Sequence, residues 1–84
     1  MSKVTVYTMD YCPYCVAAKN LLKQHNIPFD EIKFAEDDDA SWDMLEKKSG
    51  MKTMPQIFNG DELIGGYNEL SALNRSNGLD HLKK

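Results

Sequence analysis

The chain has 84 residues, of which 42% are hydrophobic, and this length predicts one domain, residues 1–84, around a single modest core. No apolar run approaches the ~20 residues of a membrane span, and the alternating first residues do not resemble a signal peptide. The net charge of −3 without a basic cluster argues against a nucleic acid or an anionic membrane as a partner. We expect a cytoplasmic protein that acts as a monomer.

The first half of the chain predicts a strand, a helix and a second strand. Residues 3–7 alternate and are rich in β-branched side chains, which indicates a strand that leads through a short loop to Cys12. From Pro13 to about Asn26 a helix with one buried face is expected. Its apolar positions are Val16, Ala18, Leu21 and Leu22. Residues 29–33 read as a weaker strand, which predicts a parallel pair with a right-handed crossover.

A helix and a hairpin are predicted next. The acidic run 36–39 indicates a solvated loop whose end favours a helix N-terminus, and the helix 39–49 closes at Gly50. Asn59-Gly60 lies between two apolar runs, which is a strong short-range hairpin signal. The second half of the sheet is therefore expected to be antiparallel.

The last predicted element is a helix that follows a pair of glycines. Gly65-Gly66 permits a tight backbone turn close to a ligand, and Asn68 is a good N-cap for a helix over about 69–76. The tail 79–82 is expected to pack one more apolar turn. The predicted order of elements is β-α-β-α-β-β-α.

The two cysteines of the chain, Cys12 and Cys15, stand two residues apart at the start of the first predicted helix. As a zinc half-site the pair lacks partners, because His25 and His81 are too far apart in sequence to form a histidine pair. As a structural disulfide the pair would close a loop of about four residues. Such a disulfide stabilises the folded protein by only ~2 kcal/mol, against ~4 kcal/mol for one that closes a loop of about fifty residues.

A dithiol that cycles between thiol and disulfide fits the local physics better. A thiol at a helix N-terminus meets unpaired backbone N–H groups and the positive end of the helix dipole, and both stabilise a thiolate. Further stabilisation of the thiolate must come from hydrogen bonds to the Cys12 sulfur, donated by backbone N–H groups around Tyr14 and Cys15 and by the second thiol, or from a nearby cation. Pro13 suits the first helical turn and leaves Cys12 the more exposed of the two cysteines. Where thiols are kept reduced, such a pair indicates a catalytic or metal-binding role.

Three short motifs resemble those of a known family. They are Cys12-Pro13-Tyr14-Cys15 after a strand, Thr53-Met54-Pro55, and Gly65-Gly66 ahead of the last helix. In this order and at this length they make the chain similar to a glutaredoxin over essentially all of its residues. The resemblance implies an α/β thioredoxin-like fold with a four-stranded mixed sheet and a cis peptide bond before Pro55.

The resemblance also implies an enzyme, a glutathione-dependent thiol–disulfide oxidoreductase. Cys12 would be the nucleophile and Cys15 the resolving cysteine, with glutathione as reductant and substrate and with no metal. Its clients would be disulfide-bonded or glutathionylated proteins. The residues that the resemblance assigns to glutathione binding are Tyr14, Lys52, Thr53, Met54, Pro55, Gly66, Tyr67 and Asn68.

At two positions the chain departs from the family pattern. Glutaredoxins commonly carry a lysine where this chain has Met9 and an aspartate where it has Asn68. The loss of these charges is compatible with an alternative function, a small thioredoxin-like redoxin that a flavoprotein reductase reduces. A second alternative is a carrier in which Cys12 from two subunits and two glutathiones hold a [2Fe–2S] cluster, although Pro13 stiffens the loop and disfavours it.

Overall fold

Four strands and three helices follow one another in this computed structural model, which describes residues 4–35, 37–76 and 78–79. In chain order they are β1 Val4–Met9, α1 Pro13–Gln24, β2 Phe29–Phe34, α2 Asp39–Ser49, β3 Gln56–Asn59, β4 Glu62–Gly65 and α3 Tyr67–Arg75. The predicted order of elements is confirmed. Of the predicted apolar turn at 79–82 only Leu79 is described, and it is buried, while His81 lies outside the described residues. No helix in the described ranges is long and apolar enough to cross a membrane.

The strands form one mixed sheet in the order β2-β1-β3-β4. Strand β1 runs parallel to β2 and antiparallel to β3, with Val6 opposite Ile57. Strands β3 and β4 form the predicted hairpin, whose turn is Gly60-Asp61 with a φ of 64° at Gly60. The crossover through α1 leaves Cys12 just beyond the carboxyl end of β1, the edge where open α/β sheets bind their ligands.

Two hydrophobic clusters occupy the two faces of the sheet, because side chains along a strand point alternately to opposite faces. Helices α1 and α3 contribute to the first cluster, which consists of Val4, Val6, Ala18, Leu22, Ile27, Ile57, Leu70 and Leu79. Helix α2 contributes to the second, which consists of Cys12, Cys15, Leu45, Met54 and Phe58. Both cysteines are therefore packed into the cluster on the α2 face of the sheet.

Helix α1 presents a slightly different face to the core than the one predicted. Val16 was expected to be buried, but it is 52% exposed. The buried positions, which are spaced three and four residues apart, are Cys15, Ala18 and Leu22. The prediction for Val16 was wrong because the Cys15 sulfur takes the place on the buried face. Asn26, with a φ of 57°, and the C-cap His25 end the helix near its predicted limit.

Helix α2 has the predicted limits and the predicted capping. Oδ1 of Asp38 accepts a hydrogen bond from the backbone N–H of Ser41 over 3.3 Å, which satisfies a free donor of the first turn. Gly50 ends the helix in the left-handed conformation, with a φ of 74°.

Helix α3 begins at Tyr67, earlier than predicted, and its N-cap is Gly66. The N–H of Gly66 donates to Oε1 of Glu69 over 3.2 Å, and Glu69 is the third helical residue, whose side chain accepts this bond in a capping box. The prediction of Asn68 as N-cap was therefore wrong, and Asn68 lies in the first turn with its side chain exposed. A Cβ at Gly65, where φ is 125°, would lie 2.7 Å from the Glu69 side chain, so the turn requires glycine there.

Candidate active site

The cysteine pair lies at the N-terminus of α1, where Cys12 is the N-cap residue. The backbone N–H of Cys15 donates to the Cys12 sulfur over 3.2 Å, so the predicted contact from Cys15 is confirmed. The two cysteines are joined by a disulfide, with Cα atoms 5.2 Å apart. Cys12 is 7% exposed and Cys15 only 2%, which confirms their predicted ranking. Cys12 is thus the sulfur that a second disulfide reaches first.

The loop before β3 supplies the other side of the reactive centre. The Met54–Pro55 peptide bond is cis, as predicted. Met54 is buried in the same cluster as the cysteines, and its carbonyl oxygen lies 3.8 Å from the Cys12 sulfur. The backbone of Met54 and the nucleophilic sulfur therefore border the same space.

Gln56, the first residue of β3, holds this loop in place, and the sequence did not predict this role. Its side-chain amide donates to the carbonyl oxygens of Met51 and Thr53 over 3.2 and 3.0 Å. The residue is 1% exposed, and its Oε1 has no partner among the described residues. Since its position in a strand indicated only β structure, no local signal pointed to this role.

A groove of about 320 Å³ opens along this loop toward the start of α3. We call it the loop groove; its lining residues are Tyr14, Met51, Thr53, Met54, Pro55, Gly66, Tyr67, Asn68 and Glu69. The Tyr14 and Tyr67 rings flank it with centroids 6.1 Å apart. Of the residues predicted to bind glutathione, Lys52 is the one that does not line the groove; it is exposed on the same loop. Met51 and Glu69 line it without having been predicted.

A second groove, of about 470 Å³, borders the dithiol itself. We call it the lysine groove; its lining residues are Met9, Asp10, Tyr11, Cys12, Pro13, Cys15, Val16, Lys19 and Lys33. Lys33 belongs to β2 and Lys19 to α1, so the parallel pairing of β1 with β2 brings them to the same edge of the sheet. Two lysines therefore line the same groove as both cysteines, although position 9 carries methionine.

The charged side chains around the lysine groove form two ion pairs. Lys19 contacts Glu31 with Nζ 3.0 Å from Oε2, and the buried Thr8 hydroxyl donates to the same oxygen over 2.7 Å. The hydrogen bond from Thr8 and then that from Lys19 lower the pKa of Glu31 below its ordinary value of 4.5. Lys33 lies 3.4 Å from Oδ1 of Asp10, and both of these side chains are more than half exposed.

Comparison with known proteins identifies the family. A sequence model of the glutaredoxin family matches residues 4–64. Glutaredoxin 3 of Escherichia coli K12 is 40% identical over 84 residues, the whole of both chains. A glutaredoxin of Pseudomonas aeruginosa is 39% identical over 82 residues, 98% of this chain and 96% of the relative. The chain belongs to the glutaredoxin family.

Solved glutaredoxins share the fold of this chain, which confirms the predicted thioredoxin-like architecture. The solution structure of glutaredoxin from Brucella melitensis superimposes with a TM-score of 0.83 at 39% identity, covering 99% of this chain and 90% of that one. Buckwheat glutaredoxin, solved as a complex with glutathione, gives a TM-score of 0.88 at 27% identity, covering 98% of this chain and 76% of that one.

This glutaredoxin is a thiol–disulfide oxidoreductase, as predicted. The helix N-terminus and the N–H of Cys15 stabilise negative charge on the Cys12 sulfur, and Cys15 lies within bonding reach to complete a two-electron exchange. Among the described residues, no group of three or more His, Cys, Asp and Glu side chains is arranged to hold a metal ion.

Proposed function

We propose that this glutaredoxin uses glutathione to reduce both glutathionylated proteins and protein disulfides. The observation that carries the proposal is the loop groove, which runs from the Met54 backbone beside Cys12 to the N-terminus of α3. An extended peptide with a thiol near its middle and a carboxylate at its end matches such a groove. The complex of buckwheat glutaredoxin with glutathione supports the same assignment.

Each part of glutathione has a counterpart in the loop groove or directly beside it. Its sulfur bonds to Cys12, and its backbone pairs with that of Met54 as an added strand would. The α-carboxylate of the γ-glutamyl end meets free N–H groups of the first turn of α3, at Tyr67 and Asn68, where the helix dipole favours an anion. The carbonyl oxygen of the Asn68 side chain accepts from the α-ammonium group.

The glycyl end lies at the other end of the loop groove. Of the residues that line the loop groove, we assign Tyr14 and Thr53 to this end, and Pro55 belongs to the same lining. Lys52, which is exposed beside Thr53, meets the glycyl carboxylate from outside the groove. Since an exposed ion pair contributes only about 0–1 kcal/mol, Lys52 adds little to the affinity.

Two routes follow from the chemistry of the pair. With a glutathionylated protein, the Cys12 thiolate bonds to the glutathione sulfur and the protein leaves as a thiolate; a second glutathione thiolate then attacks the same sulfur and leaves as glutathione disulfide, which frees Cys12. With a protein disulfide, the Cys12 thiolate bonds to one client sulfur and the other client sulfur leaves as a thiolate; Cys15 then loses its proton, attacks the Cys12 sulfur and expels the first client sulfur as a thiolate. The Cys12–Cys15 bridge is then reduced by two glutathiones, which leave as glutathione disulfide.

The test is turnover with glutathione and glutathione reductase, compared with turnover with thioredoxin reductase, on a glutathionylated peptide and on a peptide with an internal disulfide. We expect glutathione to support both reactions and the flavoprotein reductase to support neither. Turnover with thioredoxin reductase alone would refute the proposal in favour of a redoxin. A visible iron–sulfur absorbance and stoichiometric iron in the purified protein would instead favour the cluster carrier.

We further propose that residues 1–84 act as one monomeric domain in the cytoplasm. The support is the single sheet with its two clusters, together with a chemistry that requires a compartment in which glutathione keeps thiols reduced. Sedimentation of the protein with and without glutathione measures the oligomeric state.

A further inference from the structure

Tyr11, directly before the nucleophilic cysteine, has an unusual conformation and environment. Its side chain is 96% exposed and its φ is 58°, a left-handed conformation that is uncommon for a bulky residue. Such strained positions persist where the surrounding structure imposes them, and they concentrate at functional sites. The exchange chemistry described above does not use Tyr11.

Exposed apolar side chains are concentrated around Cys12. The large hydrophobic residues that are exposed in the described part of the chain are Tyr11, Tyr14, Val16, Ile32 and Met44. Tyr11 and Val16 line the lysine groove with Cys12, while Tyr14 lines the loop groove. Exposed apolar side chains that border a reactive centre indicate an interaction site, and tyrosine is among the residues that contribute most to binding energy at such sites.

The charges of the lysine groove indicate what kind of surface it faces. Its lining carries two ammonium groups, from Lys19 and Lys33, and one carboxylate, from Asp10, in a chain whose net charge is −3. Lys19 is engaged with Glu31. Lys33 pairs with Asp10 at 3.4 Å, its one ion pair among the described residues; this pair is exposed and contributes little, so another carboxylate can replace Asp10. The groove therefore favours an apolar side chain next to an acidic one.

We propose that the lysine groove is the docking surface for the protein client, and that it receives the residues that flank the client's reactive cysteine. An apolar client side chain lies against Tyr11 and Val16, and a client carboxylate replaces Asp10 at Lys33. This inference rests on the proposed function, because it assigns the specificity of that reaction. Tyr11 and Lys33 are specificity-determining residues here and take no part in the exchange of sulfur atoms.

The geometry of thiol–disulfide exchange indicates which molecule binds in the lysine groove. To react with a glutathionylated client, the Cys12 sulfur must form a bond of about 2.05 Å with the glutathione sulfur that is joined to the client cysteine, although Cys12 is only 7% exposed. The client chain must therefore lie against the residues that border Cys12. Glutathione occupies the loop groove in the glutathionylated substrate, so the lysine groove is the bordering surface that remains for the protein part.

The experiment compares kcat/KM for three substrates with glutathione and glutathione reductase. Two are peptides with one glutathionylated cysteine, one with leucine and glutamate beside that cysteine and one with serine and lysine; the third is the small mixed disulfide of glutathione and mercaptoethanol. The variant Tyr11→Asn removes the ring and keeps a residue type that tolerates the positive φ, and Tyr11→Phe is its matched control. Lys33→Met and Val16→Ser test the other contacts, and Val16 is exposed enough for substitution to leave the fold intact.

We expect the wild-type protein to prefer the leucine–glutamate peptide. Tyr11→Asn and Val16→Ser should lower kcat/KM for that peptide by about fivefold to tenfold. A fall of this size corresponds to the loss of a contact that contributes more than about 1 kcal/mol to binding. Tyr11→Phe should remain close to wild type. Lys33→Met should reduce the preference for glutamate over lysine. The small mixed disulfide, which has no flanking residues, should react at the wild-type rate in every variant.

Three results would overturn the inference. They are an unchanged rate with the leucine–glutamate peptide, an equal fall with all three substrates, and a rise in KM for glutathione alone, which would mean that the lysine groove receives the reductant. Failure of the proposed function is a separate result, since the wild-type protein would then show no turnover of the small mixed disulfide with glutathione.

Discussion

The side-chain amide of Gln56 donates to the carbonyl oxygen of Thr53 over 3.0 Å from inside the protein, where Gln56 is almost fully buried. A second donation, to Met51 over 3.2 Å, uses the other hydrogen of the same amide. One side chain thus fixes two points, Met51 and Thr53, of the loop that forms a wall of the loop groove. The shape of the groove depends on a residue that does not line it.

Replacing Gln56 with methionine should therefore affect binding and stability together. The change keeps the side-chain volume but removes both donors, and with about 0.5–1.5 kcal/mol for each hydrogen bond we expect a loss of about 1–3 kcal/mol in the free energy of unfolding. KM for the small glutathione mixed disulfide should rise, because the loop is less well ordered. Denaturant unfolding and steady-state kinetics measure the two effects. The control is Gln24→Met at the exposed end of α1, and an equal response of both variants would contradict the prediction.

The two cysteines should be separable by mutation. Cys12→Ser is expected to abolish both reactions, and serine is chosen because its hydroxyl still caps α1. Cys15→Ser should retain reduction of the glutathionylated peptide and lose reduction of the internal disulfide. Rates with the two peptides give the answer directly, and an equal loss of deglutathionylation in both variants would exclude the route that needs Cys12 alone.

Glu31 should make the stability of the protein depend on acid pH. Because hydrogen bonds from Thr8 and Lys19 lower the pKa of Glu31 in the folded state, their contribution is complete above the ordinary value of 4.5 and is lost as the pH falls through the lower folded value. Glu31→Gln should thus lower Tm at neutral pH, and the difference from wild type should shrink as the pH drops below 4.5. Glu62→Gln, at the exposed start of β4, is the control. A Tm difference for Glu31→Gln that is the same at every pH would disprove the assignment.

Asn68→Asp should tighten the use of glutathione. A carboxylate in the first turn of α3 would accept from the α-ammonium group with a charge-assisted bond, which is stronger than the neutral one by about 1 kcal/mol, or roughly fivefold in affinity. The same charge should stabilise the helix by about 0.3–1 kcal/mol through its dipole. The matched control is Asn74→Asp in the last turn, where the dipole effect has the opposite sign. If KM for the glutathione mixed disulfide does not fall in Asn68→Asp, this turn does not hold the γ-glutamyl end.

Features that depend on neighbouring residues in the sequence were predictable, and features that depend on distant ones were not. Gly50 predicts a helix end and the Asn59-Gly60 pair predicts a hairpin, because of the backbone conformations that these residues prefer. Both elements are present as predicted. The prediction for Val16 was wrong because the position of α1 against the sheet determines which of its side chains are buried. The Cys15 side chain takes the buried position, and Val16 is exposed. Asn68 has the chemistry of an N-cap, but the carboxylate of Glu69 reaches Gly66 and starts the helix earlier.

The same holds for the two grooves: features that depend on neighbouring residues in the sequence were predictable, and features that depend on distant residues were not. The motifs placed Cys12 and the Met54-Pro55 loop correctly relative to each other, since both motifs end at the same edge of the sheet. The lysine groove has no sequence motif, because it exists only once β2 lies parallel to β1 and carries Lys33 beside α1. The role of Gln56 in holding the loop could not be predicted either, because its partners are backbone carbonyl groups, which every residue has.

The sulfur that reacts is also the atom that caps α1, since the Cys12 sulfur accepts from the N–H of Cys15. Its electron density differs between thiolate, mixed disulfide and internal disulfide, so the strength of this cap changes at every step of turnover. The amide proton of Cys15 is therefore a built-in spectroscopic reporter: we expect its NMR chemical shift to move furthest downfield in the thiolate state and its exchange with solvent to quicken in the mixed disulfide. The enzyme's redox state can thus be followed in real time without attaching any label.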